Sequence, residues 1–429
     1  MRRWILVLCV VLCPLQALAA GYAVYEWGAR GNALGGAMVA RDADPSSVAY
    51  NPAAITDLPG KQFQIGATAI APSATMNVKS PGQENMDFSD TIWGLPTMYY
   101  THQLSDNYWF GLGMFSRVGL GTEYEDADTW AGRYNCSYAA IKSVSINPNL
   151  AMKFSDAFSL AVGVEATYLD FGYNTTIDAN KALTPANPSD DNEPSTTSTD
   201  ILQEISTDGW GYGFNLGARY RPYDWLAFGV LWRSEIQLTV HGDVDFTKKG
   251  NVLPSSILLN DTTVSGTEPI PESFTMGVMV KPMDRLSLEF DAVWTKWSAY
   301  KSLIIKYGDP LFGAKDEVEG IKNWSDTWRF QFGAEYALTD NFDLRVGYVY
   351  DQSPVNNDYE DFAVPCTDRQ IVTLGAGLKI SDAWVVDASY GYLWMKDRAY
   401  EARPAEGIVE LDREDAHAHM AGLSVTYKF

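Results

Sequence analysis

Strict two-residue alternation, sustained over ten or more residues and carrying charges at segment centres, most constrains this chain. In 327–338, Trp328, Phe330, Phe332, Ala334, Tyr336 and Leu338 share one face, while Thr327, Arg329, Gln331, Gly333 and Glu335 share the other. In 158–169, Phe158, Leu160, Val162, Val164, Ala166 and Tyr168 oppose Ser159, Gly163, Glu165 and Thr167. In 286–295, Leu288, Phe290, Ala292 and Trp294 oppose Glu289, Asp291 and Thr295. Period two is the signature of strands, whose successive side chains point to opposite faces. Strands this long, with aromatics near their ends, fit a barrel crossing a bilayer better than a soluble sandwich.

The turns supply a count. Asp-bearing tight turns fall at Ser105-Asp106-Asn107, Ser155-Asp156-Ala157, Pro222-Tyr223-Asp224, Met283-Asp284-Arg285, Thr339-Asp340-Asn341 and Ser381-Asp382-Ala383. Asp and Asn favour such turns because their side chains bond to nearby backbone. Long polar connections alternate with them, near 73–90, 119–138, 173–206, 243–268, 307–323, 353–368 and 399–414. Six short turns alternating with seven long loops predict an all-β, 14-stranded antiparallel transmembrane β-barrel over residues 61–429. Both termini then lie on the short-turn, periplasmic side. The expected strands are 61–72, 91–104, 108–118, 139–154, 158–172, 207–221, 225–242, 269–282, 286–306, 324–338, 342–352, 369–380, 384–398 and 415–429. The last ends in Phe429, a terminal aromatic of the kind that barrel assembly machinery recognises.

Composition agrees. Aromatics make up 13% of the chain, with 14 Trp, 24 Tyr and 35 Gly, while mean hydropathy stays at -0.17. Lipid-facing and lumen-facing residues cancel in this way. No segment after the first 19 residues reaches the ~18 apolar residues of a spanning helix. A net charge of -22 argues against nucleic acid as a partner and places acidic loops outside. Residues 1–19, with Arg2 and Arg3, an apolar run and Ala17-Leu18-Ala19, read as a signal peptide that takes Cys9 and Cys13 with it. Residues 182–200, rich in Pro, Ser, Thr and Asp, read as an outer loop tip.

Residues 20–60 break the pattern. The stretch AGYAVYEWGARGNALGGAMVARDADPSSVAYNPAAITDLPG has no sustained alternation and is crowded with small residues. It is expected to be packed inside the barrel, because Gly and Ala let backbone approach the wall. Asn51-Pro52-Ala53 is its focus, although Asn-Pro alone is also an ordinary turn dipeptide.

Taken together, this start, Trp232-Arg233-Ser234-Glu235, Trp294-Thr295-Lys296-Trp297-Ser298 and Asp351-Gln352-Ser353-Pro354-Val355 resemble the FadL/TodX family of outer-membrane long-chain fatty acid and hydrocarbon transporters. The resemblance covers essentially the whole mature chain. It implies a barrel plugged by an N-terminal hatch, capture of a hydrophobic compound between outer loops, and sideways release through a gap at an inward kink of the third strand. It also implies that the kink meets the hatch through Asn51, Pro52 and Ala53. Gly111 and Gly113 mark the expected kink, since strand glycines accompany bends, though plain packing explains them equally well. Fatty-acid members meet the carboxylate with basic residues. Residues 158–180 contain no Lys or Arg, so Lys301 and Lys306 stand as substitutes. A neutral aromatic hydrocarbon or alkane remains the alternative cargo.

Other signals point less far. Cys136 and Cys366 both fall at outer loops, where a disulfide is chemically permitted. His417 and His419 share a strand face without a third ligand at defined spacing, so no metal or other cofactor is expected. Acidic runs at Glu123–Asp128 and Glu410–Asp415 read as solvated loop faces, with cation bridging to outer-membrane lipid as the sharper reading. No Ser motif accompanies the four histidines, which argues against a lipase. A seated plug argues against an open porin, and a monomer is expected.

Overall fold

A computed structural model describes residues 21–79, 83–179, 199–249, 259–311 and 315–429. The signal segment 1–19 and nearly all of the loop tip 182–200 lie outside the described residues. The chain forms one closed ring of fourteen antiparallel strands. These are β1 (Lys61–Val78), β2 (Trp93–Gln103), β3 (Tyr108–Phe115, resuming as Leu120–Glu123), β4 (Tyr138–Ser155), β5 (Phe158–Asp178), β6 (Asp200–Tyr223) and β7 (Leu226–Arg233, then Ile236–Lys248). They continue as β8 (Thr262–Ile270, then Ser273–Met283), β9 (Leu286–Thr295, then Ser302–Leu311), β10 (Lys315–Ile321, then Thr327–Thr339), β11 (Phe342–Asp351), β12 (Arg369–Lys379), β13 (Trp384–Met395) and β14 (Leu411–Lys428). Each strand pairs with the next, and β14 closes on β1 from Gln62↔Lys428 to Val78↔Leu411. Closure gives every strand a neighbour on both sides, as a hydrocarbon environment demands.

The faces are inverted relative to a soluble protein. On β5, Val162 and Val164 are 45% and 62% exposed while Glu165 is 2% exposed. On β6, Phe214 and Leu216 are exposed, and Asn215 and Arg219 are buried. A continuous apolar exterior with a polar interior places the exterior in lipid. Tyr220, Tyr223, Trp225, Tyr108 and Trp384 are exposed near the short turns, where amphipathic rings suit the membrane–water interface.

Several strands outrun the lengths expected from alternation. β5 reaches Asp178 and β6 starts at Asp200, because ladder hydrogen bonding continues past the bilayer, where no lipid enforces an apolar outer face. β7 to β10 are all interrupted at one level, at 234–235, 271–272, 296–301 and 322–326. Register places these breaks side by side, with Ser273 opposite both Arg233 and Thr295, and Thr295 opposite Thr327.

Residues 21–58 contain the short helices α1 (Ala29–Ala33) and α2 (Ser47–Tyr50) and the 3-10 turn Pro52–Asp57, and most of them are buried. Their partners surround them. Ala29 N donates to Ser424 on β14, Asn32 to Thr68 on β1, and Ala40 N to Glu289 on β9. Ala33, Ala49, Ala53 and Leu58 accept from Thr373 on β12, Arg233 on β7, Ser159 on β5 and Trp109 on β3. A segment bonded to strands on every side of a closed ring lies inside it. Wall glycines make room: a Cβ at Gly229 would sit 2.0 Å from the Val39 carbonyl oxygen, and one at Gly347 2.2 Å from the Gly35 amide.

Candidate functional site

The strip Tyr22–Trp27 is bound by the interruption in β3. Val24 N donates to Arg117 O at 3.0 Å, Gly119 N donates to Tyr22 O at 2.9 Å, and the Trp27 indole donates to Ser116 O at 2.6 Å. Ala23 and Val118 form a single antiparallel bridge. Ser116–Gly119 has thus left the wall and taken the N-terminal strip as its strand partner. On the β4 side serine hydroxyls bridge the break, Ser116 Oγ to Ser143 O at 2.5 Å and Ser143 Oγ to Val118 O at 2.6 Å.

The kink therefore lies at Ser116–Gly119, C-terminal to the expected Gly111 and Gly113. Gly111 and Gly113 stay in register, opposite Thr101 and Tyr99 on β2 and Asn149 and Asn147 on β4. They serve close packing instead: a Cβ at Gly111 would meet Val48 and Ile55 at 2.9 Å. The partner also differs. Asn51 donates to Val39 O at 2.7 Å and to Ala218 O of β6 at 3.0 Å, and its Oδ1 caps Ala53 N at 3.1 Å. Asn51, Pro52 and Ala53 are fully buried against β5 and β6, and the β3 kink meets Tyr22–Trp27.

A cavity of about 50 Å³ lies beside the kink, between Tyr25 and Trp27 on one side and β3, β7 and β10 on the other. Its wall carries apolar Val118, Leu231 and Val293 together with Arg117, Arg233 and Arg329. Glu165 sits 2.8 Å from Arg233 and 3.6 Å from Arg117. Arg329 lies 4.3 Å from the Tyr25 ring centroid and 3.9 Å from Asp351, which Arg369 also engages at 2.9 Å. Nε of Arg233 and Nε of Arg329 are buried without an acceptor. An apolar pocket with spare guanidinium donors suits an amphiphile whose head accepts hydrogen bonds.

Lys301 and Lys306 are not part of it. Both are exposed, Lys301 at the end of the β9 interruption and Lys306 beyond it, and Lys306 pairs with Glu317 at 3.1 Å. The lumenal arginines escaped the sequence reading because 117, 233 and 329 meet only through the barrel's closure. Alternation around Arg329 and the segment Trp232-Arg233-Ser234-Glu235 were the available hints. Cys136 and Cys366 are both buried in the aromatic outer cap with Trp130, Phe362 and Tyr400, and the disulfide that their loop positions permit is not formed. Desolvation pushes both thiols up, Cys136 well above the ordinary range. His419 Nδ1 lies 2.7 Å from Tyr390 Oη, and His417 Nδ1 2.6 Å from Asp415 O. Phe429 is exposed, with its amide bonded to Lys61 O at 3.0 Å.

The profile of the outer membrane protein transport protein family (OMPP1/FadL/TodX) matches residues 10–429. The chain belongs to this family. It is an outer-membrane protein of the OMPP1/FadL/TodX transporters for hydrophobic compounds, a family of transport proteins and not of enzymes. Among OMPP1/FadL/TodX relatives it is 26% identical to a putative outer membrane protein of Neisseria meningitidis serogroup B, over 100% of this chain and 99% of that protein. It is 25% identical to the long-chain fatty acid transport protein of Salmonella typhi, over 99% and 98% respectively. The fold matches a Pseudomonas aeruginosa FadL homologue with a TM-score of 0.83 at 23% identity, covering 96% of this chain and 100% of that one. It also matches the Pseudomonas putida toluene transporter TodX with a TM-score of 0.74 at 17% identity, covering 95% and 99%.

Proposed function

We infer that the protein takes up long-chain fatty acids or closely similar apolar carboxylates, holds them beside Arg117, Arg233 and Arg329, and releases them sideways at the β3 kink. What carries this reading is a cavity lined by Arg117, Arg233 and Arg329, two of which, Arg233 and Arg329, keep a buried Nε without an acceptor. A neutral hydrocarbon leaves both donors unsatisfied, at a cost of about 1–3 kcal/mol each; a carboxylate satisfies them. The cavity is well below the ~300 Å³ of a typical small-molecule site, so this conformation is a closed one. Its movable wall is the strip Tyr22–Trp27, since none of the ion pairs found among the described residues involves residues 21–29. Residues 30–57, by contrast, are anchored by Arg30 to Glu335 at 2.9 Å, Asp57 to Arg219 at 2.5 Å and Asp42 to Arg221 at 3.1 Å.

Residues 20–60 are accordingly a hatch whose N-terminal strip is the gate. Sideways release has a simple driving force, since an acyl chain regains about 0.8 kcal/mol per methylene on entering an apolar phase. Arg329→Gln tests the cargo. Fatty acid affinity, read by displacement of a fluorescent acyl probe, should fall roughly 10- to 100-fold, as loss of a charge-assisted hydrogen bond predicts, with toluene binding unchanged. Equal loss for both ligands would favour the hydrocarbon reading.

A further inference from the structure

The kink needs a cause, and the strand beside it supplies one. In an antiparallel strand, alternate residues direct their N–H and C=O to opposite neighbours. In β2, Gln103 N donates to Gly60 O on the β1 side and Leu104 N to Tyr108 O on the β3 side, both at 2.8 Å. Odd-numbered amides of β2 therefore face β1, and even-numbered ones face β3. The β2–β3 ladder runs from Gln103↔Trp109 to Met98↔Met114 and stops. The next position directed at β3 is 96, whose register partner is Ser116. Position 96 is a proline, with no N–H to give.

β2 itself does not end there. It stays paired with β1 through Pro96↔Ala67 to Trp93↔Ile70, so only the seam toward β3 is lost. Trp93 and Leu95 share the lumenal face of Thr97 and Tyr99, which are 3% and 0% exposed, yet are themselves half-buried, because β3 no longer runs alongside. Where β3 resumes it passes under Trp93, and a Cβ at Gly121 would sit 2.1 Å from that indole.

A second proline serves as an internal control. In β4, Lys153 N donates to Asn107 O on the β3 side, so Pro148 faces β5. The β4–β5 ladder lapses after Ile146↔Ala166 and resumes in the same register at Asn149↔Gly163. The carbonyl left without a donor there, Val164 O, accepts from the Asn147 side chain at 2.7 Å, and β4 stays in the wall. At Pro96 the corresponding carbonyl, Ser116 O, accepts from Trp27 of the N-terminal strip.

We propose that Pro96 is the positioning residue of the lateral opening: by withholding one donor from the β2–β3 seam it turns Ser116–Gly119 inward, where Trp27 takes the donor's place. The bond that would close the wall is thereby traded for one that the gate makes and breaks. The consequence for uptake rests on the lateral-exit reading above; the cause of the open seam does not.

Pro96→Val and Pro96→Ala both restore the N–H and differ in bulk, so an effect of the donor appears in both. Hydrogen–deuterium exchange on the folded barrel should find the new amide at 96 protected in each. Fatty acid uptake at equal surface abundance should fall about fivefold, the population shift from one net strand hydrogen bond. Pro148→Val should leave uptake at the parent level. Free exchange at 96 with parental uptake in both variants overturns the proposal. Protection at 96 with parental uptake upholds Pro96 as the cause of the open seam and defeats the lateral exit instead.

Discussion

Arg117, Arg233 and Arg329 line one cavity and share two carboxylates, Glu165 and Asp351. The balance leaves donors to spare, which suits a site that must accept an anion and let it go. Buried charge of this kind is costly unless paired, so its presence beside a cavity points to binding. Cys136 and Cys366 show burial acting the other way. With both thiols pushed up by desolvation, the thiolate is scarce below the raised pKa and would appear only as pH rises toward it. The folded protein should resist maleimide at neutral pH and take up two labels only after unfolding. Rapid labelling of the folded barrel would contradict their burial. At this scale the sequence marked residue types better than places. Asn51 stood out by its Asn-Pro context, but Lys301 and Lys306 were mistaken for lumenal residues because nothing in local alternation reveals that β9 is interrupted after Thr295 and resumes only at Ser302.

Among the elements, the strands were legible because lipid on one face and water or plug on the other impose period two; their outer ends were not, since both faces there meet solvent. The short turns were legible from Asp and Asn. The kink was not, because its cause lies on the neighbouring strand and in the direction of one amide, which only register reveals. The Pro52–Asp57 turn illustrates how an irregular element is held. Asn51 caps it and bonds to both Val39 and Ala218, tying two parts of the hatch to β6. Asn51→Ala leaves those groups buried and unpaired, at a local cost of about 2–3 kcal/mol. The barrel should still migrate as a folded, heat-modifiable species, while uptake falls severalfold. Parental uptake at equal surface abundance would make the cap mere filler.

At the level of the whole molecule, a closed ring of strands forms a rigid frame, and the enclosed segment 21–58 divides into two parts by how it is fastened to that frame. Residues 30–57 are tied by ion pairs to β6, β8, β10 and, through Arg345, to the Glu335–Asp387 network. The strip Tyr22–Trp27 is held by hydrogen bonds and ring contacts, to the β3 kink and also to Pro269, Arg369, Tyr50 and Tyr99. On the uptake route inferred above, this strip must leave the kink for substrate to pass. Ala23 and Val118 are direct antiparallel partners, at a separation a disulfide can span. The native thiols are too buried to interfere. Ala23→Cys combined with Val118→Cys should, when oxidised, abolish fatty acid uptake, and a reductant should restore it in the same cells. Undiminished uptake by the fully oxidised double variant would contradict the gate.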